Sequence, residues 1–313
     1  MPESPLTPSP YDVLGVSPTA TTHELRKAYR RMLREAHPDT GGSEARFHAV
    51  QRAWELIGTS ASRAAYDRGH VAAQPGASWV PAPPRARKDS RPTARSYGHP
   101  GGWRRERYLT LVREWAGRGT EVTDPYDAAL VRSAPRELRH MLADALAEEA
   151  TASTLATLGI GYTLWHDVAT DVRTGDPRFT GGISKIDHVV LGPTGLFAVL
   201  SEDWGGPVRA RKGDLIGDVL MPGERPMHQL ALEAKWVARS ARVKFTALVI
   251  VVPDDATDES LMVLGKTRGV PSVVVQRSRL LDLLRNGLPG IPQIGGTELF
   301  DVRTRLQGAI RFV

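Results

Sequence analysis

From residue 21 to residue 36, apolar side chains recur at helical spacing. Leu25, Tyr29, Met32, Leu33 and Ala36 form one stripe, while Arg26, Lys27, Arg30, Arg31 and Arg34 fall mostly on the other side. Thr21 followed by Glu24 is a capping box that predicts the helix start. The helix must end before Pro38, because a residue preceding proline disfavours helical angles. Thr40-Gly41-Gly42 continues the turn, and Ser43 is the expected N-cap of a second helix. That helix carries Phe47, Val50, Trp54 and Ile57 on one face and is expected to stop at Gly58. A short piece, 62–68, closes the unit. An antiparallel helix pair follows, with His37-Pro38-Asp39 in the loop at its tip.

A different pattern begins near residue 103. Residues 103–146 read as helical. Pro135 suits a first turn, and Leu138, Met141, Leu142, Ala145, Leu146 and Glu149 follow at helical spacing, running on towards Gly159. Strands are expected over 162–168, 183–191 and 196–200, the last two joined as a hairpin through Gly192-Pro193-Thr194-Gly195. A helix over 229–239 comes next, then strands at 246–252 and 270–275. Their nearly continuous Val and Ile content suits a sheet covered on both faces. Helices at 278–285 and 299–310 end the chain. The expected class is multidomain: an all-α helical hairpin followed by an α/β layered domain with a mixed sheet flanked by helices.

Composition narrows the chemistry. The 313 residues contain no cysteine, which removes disulfides and thiolate metal sites. No apolar run is long enough to span a bilayer. Met1-Pro2-Glu3-Ser4-Pro5 lacks the apolar core of a signal peptide, so a cytoplasmic protein with no membrane partner is expected. The abundance of Arg, Ala, Gly and Pro resembles that of proteins from GC-rich bacteria. The net charge of +6 is unevenly placed, with balances of +1 over 1–70, +6 over 71–108 and −1 over 109–313. Residues 71–102 hold six prolines among Gly, Ser and Ala and read as a flexible linker. Arg85, Arg87, Lys88, Arg91 and Arg95 within it are candidate contacts to nucleic-acid phosphates, or simply a solubilising tether.

Residues 10–69 resemble a J-domain, as in the DnaJ co-chaperones. The matching pieces are Tyr11-Asp12-Val13-Leu14-Gly15-Val16, the basic helix ending in Tyr29-Arg30-Arg31, His37-Pro38-Asp39, Ala53-Trp54-Glu55-Leu56-Ile57 and Arg63-Ala64-Ala65-Tyr66-Asp67. The resemblance implies docking on a DnaK-type ATPase chaperone. His37, Pro38 and Asp39 would trigger its ATP hydrolysis, and Arg26, Lys27, Arg30, Arg31 and Arg34 would steer its acidic surface. No Gly/Phe-rich stretch or zinc-finger segment follows.

Residues 147 to about 250 resemble the nuclease-related domain, NERD, of the PD-(D/E)XK endonuclease superfamily, which implies a restriction-endonuclease-like α/β fold. The matching pieces are Glu148-Glu149, the run from Ile186 to Pro193, the run from Gly195 to Val199, Trp204-Gly205-Gly206 and Gln229. In that family a helical acid, an Asp before the hairpin, a second-strand carboxylate and a Lys two residues later hold a divalent cation and activate water. Asp187 takes the Asp position, as the one candidate metal ligand, and Glu148 or Glu149 the helical acid. The second-strand pair departs from the pattern: Leu200 stands at the carboxylate and Glu202 at the Lys. Migration from just past the strand end would bring Glu202 or Asp203 to the site. Glu233-Ala234-Lys235 is a displaced motif on one helix, but residues two apart on a helix do not face one point. His188 is expected to be a core histidine. Gly265-Lys266-Thr267 lacks the first glycine of a phosphate loop.

The resulting expectation divides the chain into 1–9 (disordered N-terminus), 10–70 (J-domain), 71–102 (linker), 103–146 (helical connector) and 147–313 (NERD-like domain). The module at the C-terminal end would be an inactive remnant that targets a client, a nucleoprotein or nucleic acid. Mg²⁺ is implied only if the remnant acts. The alternatives are a metal-dependent nuclease with a rearranged site and a DNA-binding adaptor.

Overall fold

The computed structural model describes residues 8–36, 44–60, 62–64, 66–67, 92–117, 122–172, 184–221, 223–291 and 293–313. They form two compact units, one holding the N-terminal helices and one holding the sheet.

The first unit contains α1 (Pro10–Leu14), α2 (Thr22–Glu35) and α3 (Glu44–Ile57). The capping box at Thr21 is present: its hydroxyl accepts from Glu24 N, and Glu24 accepts from Thr21 N at 2.7 Å. Ser9, which the sequence pattern leaves in the N-terminal tail, caps α1 in the same way. The expected stripes meet. Leu25, Tyr29, Met32, Leu33 and Ala36 pack with Phe47, Val50, Trp54 and Ile57 around Tyr11 and Leu14. Tyr29 and Trp54 stack with centroids 4.4 Å apart. The closing piece is held by Arg63, which donates to the Tyr11 hydroxyl and to the Ala20 and Pro18 carbonyls, and by Asp67, which accepts from that hydroxyl. Arg26, Lys27, Arg30, Arg31 and Arg34 are all exposed. His37, Pro38, Asp39 and Ser43 lie outside the described residues.

The second unit has a seven-stranded mixed sheet in the order β1-β2-β3-β4-β7-β9-β8. The strands are β1 (Arg95–Tyr97), β2 (Thr163–Thr170), β3 (Ser184–Gly192), β4 (Gly195–Ser201), β7 (Ala247–Val252), β8 (Leu261–Thr267) and β9 (Val270–Gln276). A separate hairpin pairs β5 (Arg209–Arg211) with β6 (Asp214–Ile216). Pairs β1–β2, β4–β7 and β7–β9 are parallel, and the other three are antiparallel. The remaining helices are α4 (Gly102–Ala116), α5 (Ala128–Ser133), α6 (Arg136–Leu155), α7 (Pro226–Ala241), α8 (Leu280–Asn286) and α9 (Gly296–Ala309); all belong to this unit except α5, which groups with the first unit up to Arg132.

Helices cover both faces, as the Val/Ile runs predict. Leu155, Leu158, Leu280 and Leu284 pack on Leu164, Val190, Phe197, Val199 and Val249. On the other side Met227, Leu230, Ala234, Val237 and Leu306 pack on Trp165, Val189, Leu191, Ala198, Leu248 and Ile250. The β3–β4 turn needs glycine at 195, where φ is +145° and a Cβ would strike the Thr246 side chain.

Several elements differ from the sequence expectation, among them α1 and the β5–β6 hairpin, which no apolar pattern marks. Arg95, placed in the linker by composition, sits exposed on β1, a strand pairing parallel to β2. Arg85, Arg87, Lys88 and Arg91 are outside the described residues. The stretch read as a separate connector contributes α4, which packs against α6 within the second unit. Gly265-Lys266-Thr267 ends strand β8. Its mixed exposure hid the strand from a search for apolar runs.

Candidate functional site

The helical acid and the strand acid meet inside the second unit. On α6, His140, Asp144 and Glu148 are four residues apart and share one face. On β3, Lys185 and Asp187 are two apart and share one side of the strand. Regular alternation would then place Val189 and Leu191 with them. Instead Ile186 packs with Val189 and Leu191 against the α7 side. The alternation therefore slips by one residue at 187–188. The β2–β3 ladder passes over Asp167 and Asp187, and Asp167 has φ +53°. A non-glycine residue in the left-handed region is strained, and such strain gathers at special sites. The slip turns Lys185, Asp187 and Asp167 towards α6, much as bulges re-aim side chains elsewhere.

Lys185 is the centre of the arrangement. Its Nζ lies 2.7 Å from each Glu148 carboxylate oxygen, 2.8 Å from Asp187 Oδ1 and 2.6 Å from Asp167 Oδ1. Arg104, from α4, supplies a second cation. Its Nη1 is 2.5 Å from Asp144 Oδ2, its Nε 3.4 Å from Glu148 Oε2, and its Nη2 3.4 Å from Asp187 Oδ1 and 4.0 Å from Glu202 Oε1. Asp187 Oδ2 accepts from Ser201 N at 2.8 Å. No side chain in this group is more than 3% exposed.

The electrostatics follow from burial among charges. Burial opposes the Lys185 ammonium, yet Asp187 and Glu148 overcome it and raise its pKa. Burial likewise opposes the Asp187 carboxylate, but Lys185 and Arg104 hold it well below its usual value. Burial, then the neighbouring Asp187, push the Glu148 carboxyl well up. Arg104 stays protonated: burial is outweighed by Asp144, Asp187, Glu202 and Glu148.

The remaining candidates are scattered. Glu149 faces away and pairs with Arg105 through two 2.6 Å contacts. Gln229 donates to Glu233 Oε1 at 2.8 Å, and Ser184 donates to the same oxygen at 2.6 Å. Lys235 is exposed beside a shallow groove formed with Trp236 and Arg239. Glu233 is buried, so the displaced Glu-x-Lys pair diverges as helical geometry requires. Leu200 is buried in the apolar core. His188 is buried, 2.7 Å from His166 between Nδ1 atoms.

A divalent cation implied by the sequence resemblance does not fit. The point where Glu148, Asp167 and Asp187 converge is taken by the Lys185 ammonium. His140, Asp144 and Glu202 also bring ligand atoms within 4.8 Å of one another, but the Arg104 guanidinium lies against Asp144 and Glu202.

Residues 9–67 match the DnaJ domain family, and residues 143–252 match the nuclease-related domain family, NERD. The chain carries a J-domain and a nuclease-related domain. The chain is 46% identical over 71 residues to a chaperone protein DnaJ of Erysipelothrix rhusiopathiae, covering 21% of this chain and 19% of that one. It is 43% identical over 72 residues to the DnaJ of Bordetella petrii, with the same coverage. It is also 44% identical over 59 residues to a tetratricopeptide-repeat and J-domain co-chaperone of Mycosarcoma maydis, covering 19% of this chain and 10% of that protein. The chain thus spans about a fifth or less of the curated relatives it matches. Among the described residues no helix is long and apolar enough to cross a membrane.

Sequence reasoning missed Lys185, Arg104, Asp144 and Asp167. Signals existed for two of them. Lys185 is an ammonium two residues before Asp187, on a strand that runs on into the apolar Val189-Val190-Leu191. Arg104 precedes Tyr108 and Val112 at four-residue steps, on the stripe that α4 buries.

Glu233 offers a pH test. Burial raises its carboxyl to about 7, against which Ser184 and Gln229 pull it down. A raised folded-state value contributes stability below about 4.5 that is lost as pH rises through 7. His166 works in the opposite sense. Burial lowers it to about 4, so its contribution is present above 6.5 and lost as pH falls. Between pH 4.5 and 6.5 the two slopes oppose each other. Glu233→Gln removes one. Relative to wild type, the variant should gain about 3 kcal/mol between pH 4.5 and 7, read from urea unfolding at each pH. A pH-independent difference would contradict the buried carboxyl.

Proposed function

We propose that this protein is a cytoplasmic J-domain co-chaperone that docks on a DnaK-type chaperone and stimulates its ATPase through His37, Pro38 and Asp39. Its nuclease-related domain acts as a non-catalytic module that brings the chaperone to a client, a nucleoprotein or nucleic acid. The observation that carries the docking reading is the face of α2: five basic side chains exposed opposite a stripe buried against α3. Such a face raises the encounter rate with an acidic partner and sets its orientation. Linking the two modules raises the local concentration of chaperone at the client.

The loss of catalysis is read from the site itself rather than the fold. The second-strand carboxylate is Leu200, the Lys position holds Glu202, and the two acids that remain, Glu148 and Asp187, are both in contact with the chain's own Lys185 and Arg104. The test is ATPase stimulation of a DnaK-type chaperone by the full chain. Absence of stimulation contradicts the co-chaperone reading.

The rival reading is a metal-dependent nuclease. The observation in its favour is that Glu148 and Asp187 reach one common point. Against it, that point is enclosed and already holds an ammonium, leaving a phosphodiester no approach.

A further inference from the structure

We propose that Lys185 is a built-in substitute for a divalent cation, and that the nuclease-related site has become a structural charge node through an exchange of charges between strands. This rests on the reading of the domain as non-catalytic and gives that reading a physical cause.

The exchange is visible in two positions. Glu202, past the end of β4, is an acid where the family resemblance calls for an ammonium. Lys185, on β3, is an ammonium two residues before Asp187. The cation has moved from one strand to its neighbour, and the move changes its task. A lysine beside a metal site assists the water. This lysine instead occupies the convergence point of three carboxylates. Lys185 donates hydrogen bonds to both oxygens of Glu148 from α6 and to Asp187 from β3, and its charge lies 2.6 Å from Asp167 Oδ1 on β2, so one ammonium serves acids from three elements. Its contacts of 2.6–2.8 Å are only slightly longer than the distances at which Ca²⁺ takes carboxylate oxygens. The three acids form an all-oxygen set from three elements, which is the donor chemistry of Mg²⁺, Mn²⁺ or Ca²⁺.

Arg104 completes the node from the other side. It joins α4 to Asp144, Glu148 and Asp187. Trp103 N donates to Asp167 at 3.4 Å, and Arg105 pairs with Glu149. The first turn of α4 is thereby fixed over the acids. A site that once needed an open face for substrate is instead sealed.

Removing the ammonium should recreate the cation site. Lys185→Ala leaves the three acids converging on an empty volume. The variant is expected to bind one Mn²⁺ per chain, at least about tenfold more tightly than wild type, by titration followed with Mn²⁺ electron paramagnetic resonance. It is also expected to unfold at a lower temperature than wild type and to recover with Mn²⁺, whereas wild type does not shift. Lys185→Gln fills the same volume without charge and should gain less. If Lys185→Ala does not fold alone, Lys185→Ala with Asp167→Asn relieves one charge and keeps Glu148 and Asp187; it should show the same gain over wild type. Two results overturn the proposal: stoichiometric Mn²⁺ binding by wild type that Asp187→Asn abolishes, or no gain in either alanine variant. A wild type that cleaves nucleic acid defeats the non-catalytic reading as well. Silent alanine variants beside an inactive wild type defeat only this inference.

Discussion

Arg104→Met is expected to destabilise the nuclease-related unit by about 3–5 kcal/mol, because it removes one charge partner from Asp144, Glu148, Asp187 and Glu202 at once. The side chain volumes are similar, so the loss is one of charge. Asp144 loses its 2.5 Å contact, Asp187 keeps Lys185, and Glu202 keeps only its other surroundings. A well-packed apolar replacement of the whole node would behave differently, since exchanging every buried ion for hydrophobic groups is often neutral. The two outcomes separate by experiment. Arg104→Met alone should lower the urea midpoint sharply, and adding Asp144→Asn should restore part of it. A change under about 1 kcal/mol would place Arg104 among exposed ion pairs, whose worth is that small.

His37→Gln is expected to reduce stimulation of a DnaK-type ATPase to the basal rate, a loss of about tenfold or more, equal to at least 1.4 kcal/mol of activation free energy. The fold should persist. The core of the J-domain is built from Tyr11, Leu14, Leu25, Val50, Ala53 and Ile57, and the closing clamp from Tyr11, Arg63 and Asp67, none of which the substitution replaces. Circular dichroism and thermal unfolding should therefore match wild type. Full stimulation by the variant would remove the role assigned to His37-Pro38-Asp39. A drop accompanied by unfolding would trace the loss to structure instead.

Much of the fold is legible from periodicity. The stripes of α2 and α3, the capping box at Thr21, the β3–β4 hairpin and the Val-rich strands β7 and β9 all follow from spacing and turn chemistry, because local burial and backbone preference agree there. β1 and β8 are not legible. Both are short or exposed edge strands, and their identity comes from pairing with β2 and β9 rather than from their own sequence. The candidate site was half legible. Glu148 and Asp187 carry the family pattern, and Leu200 with Glu202 show that it is broken. What replaced the missing pair was hidden. The slip at 187–188 turns Lys185 towards α6 in a way strict alternation forbids, and Arg104 comes from a segment that composition assigned to a connector. Glu149, Gln229 and Lys235 went the other way: their residue types suit a nuclease, but their helix faces point elsewhere.

The claim that matters most is that the nuclease-related domain has exchanged its metal chemistry for internal charge pairing. The most direct measurement is cleavage of labelled single- and double-stranded DNA and RNA by the full chain in Mg²⁺ or Mn²⁺, beside Asp187→Ala. The account predicts no cleavage above that of the variant with either metal. Cleavage by wild type that Asp187→Ala abolishes would contradict it and identify an active nuclease with a rearranged site.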